Sequence, residues 1–97
     1  MQLQIFWSKR ASDDFDETLS YLYDNWGEKS TLKFIDKIDE LIHYISQNPF
    51  IYPLVKDNIR KCVVNKYTTL YYRVKDDTVE IITLFGNRQN PDKKKLK

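Results

Sequence analysis

Five residues in the last third of the chain combine charge or hydroxyl chemistry with strand-like spacing: Arg60, Lys61, Tyr71, Arg73 and Arg88. A guanidinium fork meets a phosphate or carboxylate through two parallel hydrogen bonds, so Arg60, Arg73 and Arg88 are candidates to clamp a phosphodiester. Lys61 adds a point charge beside Arg60. Tyr71 offers a ring for stacking on a base and a hydroxyl donor. Each arginine also has a plain structural use, pairing with a local carboxylate or standing in water, and Tyr71 can simply pack across a sheet. The remaining candidates are weaker. His43 is the only histidine, so no imidazole pair exists for a metal or a catalytic relay. Cys62 is the only cysteine and has no histidine close in sequence, which favours a small buried strand residue over a nucleophile. Asp76 and Asp77 are adjacent acids of the kind that build turns.

The charge around these residues is segregated. Residues 1–55 hold 5 Lys/Arg and 9 Asp/Glu, while residues 56–97 hold 11 and 5. The overall +2 therefore conceals an acidic first half and a basic second half, which suggests one face for an anionic partner. Lys93, Lys94, Lys95 and Lys97 form a basic tail over 92–97, expected to be flexible, and the second half stays positive without them. Ninety-seven residues set an expectation of one domain, 1–97, with one modest core. No apolar run approaches the roughly 18 residues of a membrane span. The N-terminus lacks a basic segment followed by an apolar one, so no signal peptide is expected. A lone cysteine forms no intramolecular disulfide and no zinc site, which favours a reducing cytoplasm. No metal and no cofactor are expected.

The elements that must hold these residues follow from periodicity. Leu3, Ile5 and Trp7 alternate with Gln4 and Phe6, as in a strand. Ser8 is a candidate N-cap, with Asp13 and Asp14 near the positive end of the helix dipole. Ala11, Phe15, Leu19, Leu22 and Trp26 make one apolar stripe of a helix over 9–25, ended by Gly27. Phe34, Ile35, Ile38, Leu41, Ile42 and Ile45 make the stripe of a second helix, stopped by Asn48-Pro49. So short a joint predicts an antiparallel helical hairpin. Residues 50–54 read as a loop anchored by Tyr52. Three strands follow, the last two joined at Asp76-Asp77. Alternation places Leu70, Tyr72 and Val74 under the helices and Tyr67, Thr69, Tyr71 and Arg73 on the other face. The expected class is α+β, in the order β-α-α-β-β-β, with the helical hairpin packed on one face of a small, mainly antiparallel sheet. The first strand is expected beside or among the later ones.

This order, together with Tyr71-Tyr72-Arg73-Val74, the Asp76-Asp77 turn, the Val79–Phe85 strand and Asn87-Arg88, resembles the RelE/ParE superfamily of toxins from type II toxin–antitoxin modules. The resemblance covers nearly the whole chain and rests on element order, length and a degenerate pattern. It implies a cognate antitoxin as partner. It also implies one of two activities. RelE-like members cut mRNA on the ribosome without a metal, using basic side chains on the sheet. ParE-like members inhibit DNA gyrase and have no recognised nuclease centre. Arg60 matches a basic position on the strand after the helices, and Arg88 matches the arginine after the last strand to within one position. Cys62 stands where RelE-like nucleases offer a second basic group, and Thr69 near where they place an arginine. A thiol near its ordinary pKa of about 8.5 and a threonine cannot supply that charge. No aromatic or histidine base follows Arg88. These departures favour a ParE-like toxin acting on gyrase. The alternatives are a ribosome-dependent endoribonuclease using Arg60, Arg73 and Arg88, or a non-catalytic nucleic-acid-binding module, with Tyr71 and Lys61 as contacts in each case.

Overall fold

The structure is a computed structural model that describes residues 2–86. Two helices lie on one face of a five-stranded sheet. The strands are β1 (Gln4–Trp7), β2 (Leu54–Lys56), β3 (Ile59–Asn65), β4 (Thr68–Lys75) and β5 (Thr78–Gly86), and the helices are α1 (Lys9–Trp26) and α2 (Glu28–Gln47). The sheet order is β1-β5-β4-β3-β2. The helical hairpin and the three long strands are as the sequence predicts. The segment 50–54, expected as a loop, ends in an additional strand, because Leu54 and Lys56 pair antiparallel with Arg60 and Ile59. The first strand lies at the edge and runs parallel to β5, with Ile5 beside Val79 and Trp7 beside Ile81. The sheet is therefore mixed.

Ser8 links β1, α1 and β5. Its hydroxyl oxygen accepts the Ala11 N–H at 3.0 Å, the N-cap bond, and donates to the Ile82 carbonyl at 2.8 Å. β1 pairs with β5 only as far as Ile81. Beyond that point Asp14 takes over the exposed edge, its carboxylate accepting the Leu84 N–H at 3.2 Å and the Thr83 hydroxyl. Asp14 thus serves the sheet edge from the second turn of α1, not the helix dipole. A charged acceptor suits this position because an edge N–H left without a partner is costly.

The core is built from period-2 residues of the sheet against period-3.6 residues of the helices. Cys62, Val64, Leu70, Tyr72, Val79, Ile81 and Leu84 meet Ala11, Phe34, Ile38 and Ile45, all buried. Leu84 reaches this face only because of a bulge. Tyr71 pairs with Thr83 and Tyr72 with Ile81, which leaves Ile82 as an extra residue in β5. The extra residue resets the alternation, so that Ile81 and Leu84 both point inward. Each buried aliphatic side chain contributes about 1.5–3 kcal/mol.

Gly27 is the joint between the helices. Its N–H closes α1 onto the Leu22 and Tyr23 carbonyls, each at 3.1 Å, and its carbonyl accepts the Thr31 N–H and hydroxyl of α2. It does so at φ 90° and ψ 179°, a conformation essentially restricted to glycine. A Cβ at Gly27 would meet nothing within 4 Å, so steric crowding is not the constraint. Gly27→Ala is expected to cost about 1–3 kcal/mol through backbone strain alone. Urea unfolding checks this; an unchanged midpoint would show that the joint relaxes freely.

Candidate functional site

The pleat of β3 divides the sequence candidates between two faces. Arg60, Cys62 and Val64 point toward the helices, and Lys61 and Val63 point away. On β4, Tyr72 and Leu70 point toward the helices, and Arg73, Tyr71 and Thr69 away. Among the described residues, helices cover only one face. The other carries four cross-strand rows among the described residues: Gln4, Thr78 and Lys75; Ile59, Arg73 and Glu80; Lys61, Tyr71 and Thr83; and Val63, Thr69 and Phe85. Phe6 of β1 adjoins Glu80.

Lys61 and Tyr71, both sequence candidates, stand directly opposite each other on this open face. Lys61 is exposed, and no ion pair holds its ammonium among the described residues. Its three donors beside the Tyr71 hydroxyl suit a carboxylate or phosphate oxygen. Arg73 lies one row away, but its Nε donates to Glu80 Oε1 at 2.7 Å in a cross-strand ion pair. That carboxylate competes with any anionic ligand for the guanidinium. Val63, Phe85 and Phe6 surround the polar groups with exposed apolar surface.

Arg60 is on the opposite side. Its Nη1 donates to the Tyr52 carbonyl at 2.7 Å and the Phe50 carbonyl at 3.2 Å, and its guanidinium lies 5.2 Å from the centre of the Phe50 ring. Tyr72, beside Arg60 on β4, donates its hydroxyl to the Pro49 carbonyl at 2.8 Å. Together these bonds tie the segment after α2 to the middle of the sheet. Burial, opposed in part by the Arg60 charge, pushes the Tyr72 hydroxyl up to about 12. Burial and a hydrogen bond to Cys62 push Tyr52 up to about 12. Burial also pushes the Cys62 thiol up, opposed by the bond to Tyr52, so it stays protonated and unreactive at neutral pH. Arg60 and Arg73 therefore do not converge on one ligand. Arg88 lies outside the described residues, as does the tail 92–97. His43 is exposed on α2.

A groove of about 530 Å³ opens where the helical hairpin meets the β3–β4 turn, walled by Tyr21, Leu22, Trp26, Phe34 and Tyr67. Periodicity assigns Trp26 to the core stripe of α1, yet it is 65% exposed. It is the last residue before Gly27 and overhangs the end of the sheet, which spacing alone does not reveal. The groove continues past Phe34 to Lys33 and Lys37.

Two helices over a mixed sheet with one face open is the fold of small toxins from toxin–antitoxin pairs. The chain is similar to the structure titled chromosomal ParDE TA system from P. aeruginosa, with a TM-score of 0.74 and 19% identity over 88% of this chain and 96% of that one. It is also similar to the YoeB/ParE toxin from Agrobacterium tumefaciens, with a TM-score of 0.66 and 18% identity over 87% and 98%. The DinJ–YafQ toxin–antitoxin complex of E. coli gives 0.61 at 14% identity over 93% and 98%. No curated protein matches the sequence. The family model for the ParE toxin of the type II toxin–antitoxin system parDE matches residues 5–91. The chain belongs to that family, within the RelE/ParE superfamily.

The tyrosine environments predict an alkaline transition. The unfolded chain releases tyrosine protons near pH 10, whereas folded Tyr72 and Tyr52 hold theirs to about 12. This stabilisation is fully present below pH 10 and is lost as pH rises from about 10 to 12. Tyr72→Phe should flatten that decline. It should also cost on the order of 1–3 kcal/mol at neutral pH, since the Pro49 carbonyl loses its donor. Unfolding free energy followed against pH checks both.

Proposed function

We propose that the chain is a growth-inhibiting cytoplasmic toxin that binds a target protein, DNA gyrase, through the open sheet face around Lys61 and Tyr71, and that a cognate antitoxin neutralises it. The observation that carries this reading is the engagement of both described arginine candidates. Arg60 is spent on loop carbonyls behind the sheet and Arg73 on Glu80. Cys62 and Thr69 are buried where a nuclease of this superfamily would offer charge. What remain on the open face, among the described residues, are the exposed ammonium groups of Lys61 and Lys75, the Tyr71 hydroxyl and exposed apolar residues. That combination suits recognition of a protein surface with an acidic patch more than stabilisation of a pentacoordinate phosphorane.

The aromatic groove is the natural seat for the antitoxin. An amphipathic segment would bury apolar residues against Trp26, Tyr67 and Phe34 and set acidic ones toward Lys33 and Lys37. Among the described residues no helix is long and apolar enough to cross a membrane, which fits action on an internal target.

A second reading is a ribosome-dependent endoribonuclease, favoured by the free Lys61 ammonium beside Tyr71. There Lys61 would stabilise phosphate charge and Arg88 would complete the site.

Two assays separate the readings. Purified protein is expected to inhibit supercoiling by reconstituted gyrase, and Lys61→Ala with Tyr71→Ala should weaken inhibition at least about tenfold, the effect of losing one or two charge-assisted bonds. Undiminished gyrase activity at large toxin excess refutes the first reading. Primer extension on translated mRNA should show no codon-linked ends; such ends, abolished by Arg88→Ala, would establish the second. Expression of the chain should arrest growth, and co-expression of the neighbouring gene should restore it.

A further inference from the structure

Two polar side chains stand on the core face of their elements without partners. Thr18 and Thr68 are 3% and 2% exposed. Each occupies a position where periodicity calls for an apolar residue. Thr18 lies in the inward stripe of α1 with Ala11 and Leu22, and Thr68 shares the inward face of β4 with Leu70 and Tyr72. Thr31, at the start of α2, donates its hydroxyl to the Gly27 carbonyl at 2.9 Å. Thr18 makes no such bond to its own helix, and neither its hydroxyl nor that of Thr68 has a hydrogen-bond partner among the described residues. Buried hydroxyls without partners are rare in folded proteins, because their lost hydration goes uncompensated.

Both residues line the aromatic groove between the helical hairpin and the β3–β4 turn. Asn65, the last residue of β3, lines it too. Its Oδ1 accepts the Tyr67 N–H at 2.8 Å and the Thr68 N–H at 2.9 Å. The amide is thereby fixed, and its NH2 group keeps two donors with no partner among the described residues. Two hydroxyls and a held amide thus sit beside Trp26, Tyr67 and Phe34 in a space of about 530 Å³, inside the roughly 300–1,000 Å³ of small-molecule sites. Past Phe34, Lys33 and Lys37 stand one turn apart on α2, and neither ammonium has an ion pair among the described residues.

This chemistry selects an occupant. Water would serve the hydroxyls but leave the rings wet. An amphipathic helix arrives with its backbone already bonded and offers apolar side chains, which leave Thr18 and Thr68 unserved. A flat heteroaromatic ring meets both needs: its faces stack on aromatic side chains, and its edge carries acceptors and donors for the hydroxyls and the amide. An anionic group on the same molecule suits the two lysines. We propose that the groove binds a mononucleotide, its base against Trp26 and Tyr67 with its edge on Thr18, Thr68 and Asn65, and its phosphate on Lys33 and Lys37. The inference does not rest on gyrase as target. It shares the groove with the antitoxin segment proposed above, so nucleotide and antitoxin would compete; the test uses the toxin chain alone, and its result does not decide the antitoxin seat.

Isotope-labelled full-length chain is titrated with the monophosphates of adenosine, guanosine, cytidine and uridine in turn. The Trp26 indole N–H reports on the groove, and Trp7, packed on Phe15 at 5.3 Å, is the internal reference. At least one nucleotide is expected to shift Trp26 saturably and leave Trp7 in place, and inorganic phosphate alone should move neither. Thr18→Val and Thr68→Val keep the branched shape and remove the hydroxyl. Each should weaken the nucleotide and its free nucleoside alike by about tenfold, one hydrogen bond's worth, while melting no lower than the parent, because no bond within the fold is lost. Lys33→Gln combined with Lys37→Gln should weaken the nucleotide and spare the nucleoside. Absence of a saturable Trp26 shift with every monophosphate overturns the proposal, as does a shift that survives both valine variants. A marked fall in melting temperature for either valine variant also overturns it, since the hydroxyl would then have its partner inside the fold.

Discussion

The tie between the end of α2 and the middle of the sheet governs much of this molecule. Tyr72 is buried, and its hydroxyl still reaches the Pro49 carbonyl, while Arg60 beside it gathers the Phe50 and Tyr52 carbonyls. These bonds satisfy backbone groups at the point where a helix stops and a strand has not begun. Without them the segment would either lose its acceptors to water or collapse onto the core. With them, β2 starts in register against β3, and the apolar residues before it are displayed. The cost is a cation and a phenol withdrawn from any surface role.

Among the described residues, helices cover only one side of the sheet. Two helices supply one layer, and Asp14 and Ser8 close the edge where β1 falls short. The uncovered face must then be compatible with water, and it is: the Arg73–Glu80 pair, Lys61 and Tyr71 occupy its centre. The segregation of charge along the chain becomes a segregation in space: acidic residues concentrate on the helices, while the strands carry several Lys and Arg against a single acid, Glu80. The toxin reading draws on that asymmetry, because a face free of helices is the face left for a target.

Much of this was legible in the sequence, and the exceptions have physical causes. The helical stripes, the Ser8 cap, the Gly27 joint and the inward set Leu70, Tyr72 and Val74 follow from local periodicity and capping chemistry, which act over a few residues. β2 did not show because three residues after a proline carry no alternation to read. The bulge at Ile82 did not show because Ile81-Ile82-Thr83-Leu84-Phe85 has the same composition with or without it. Lys61 and Tyr71 were individually recognisable, and their opposition depends on the β3–β4 register. Arg60 was recognisable as basic and as sharing a face with Cys62. Which face that was, and that three carbonyls after α2 were waiting there with Tyr72, is a property of the tertiary fold.

The central claim is a division of labour across β3: Arg60 holds the fold together from behind, and Lys61, its immediate neighbour, acts on the target from in front. The most direct measurement compares Arg60→Met with Lys61→Met, each scored for thermal stability of the purified chain and for growth arrest on expression. The account predicts that Arg60→Met melts markedly lower, and that Lys61→Met melts like the parent while arresting growth poorly. An Arg60→Met chain that keeps its melting temperature yet loses all toxicity would contradict it and place Arg60 at the site of action.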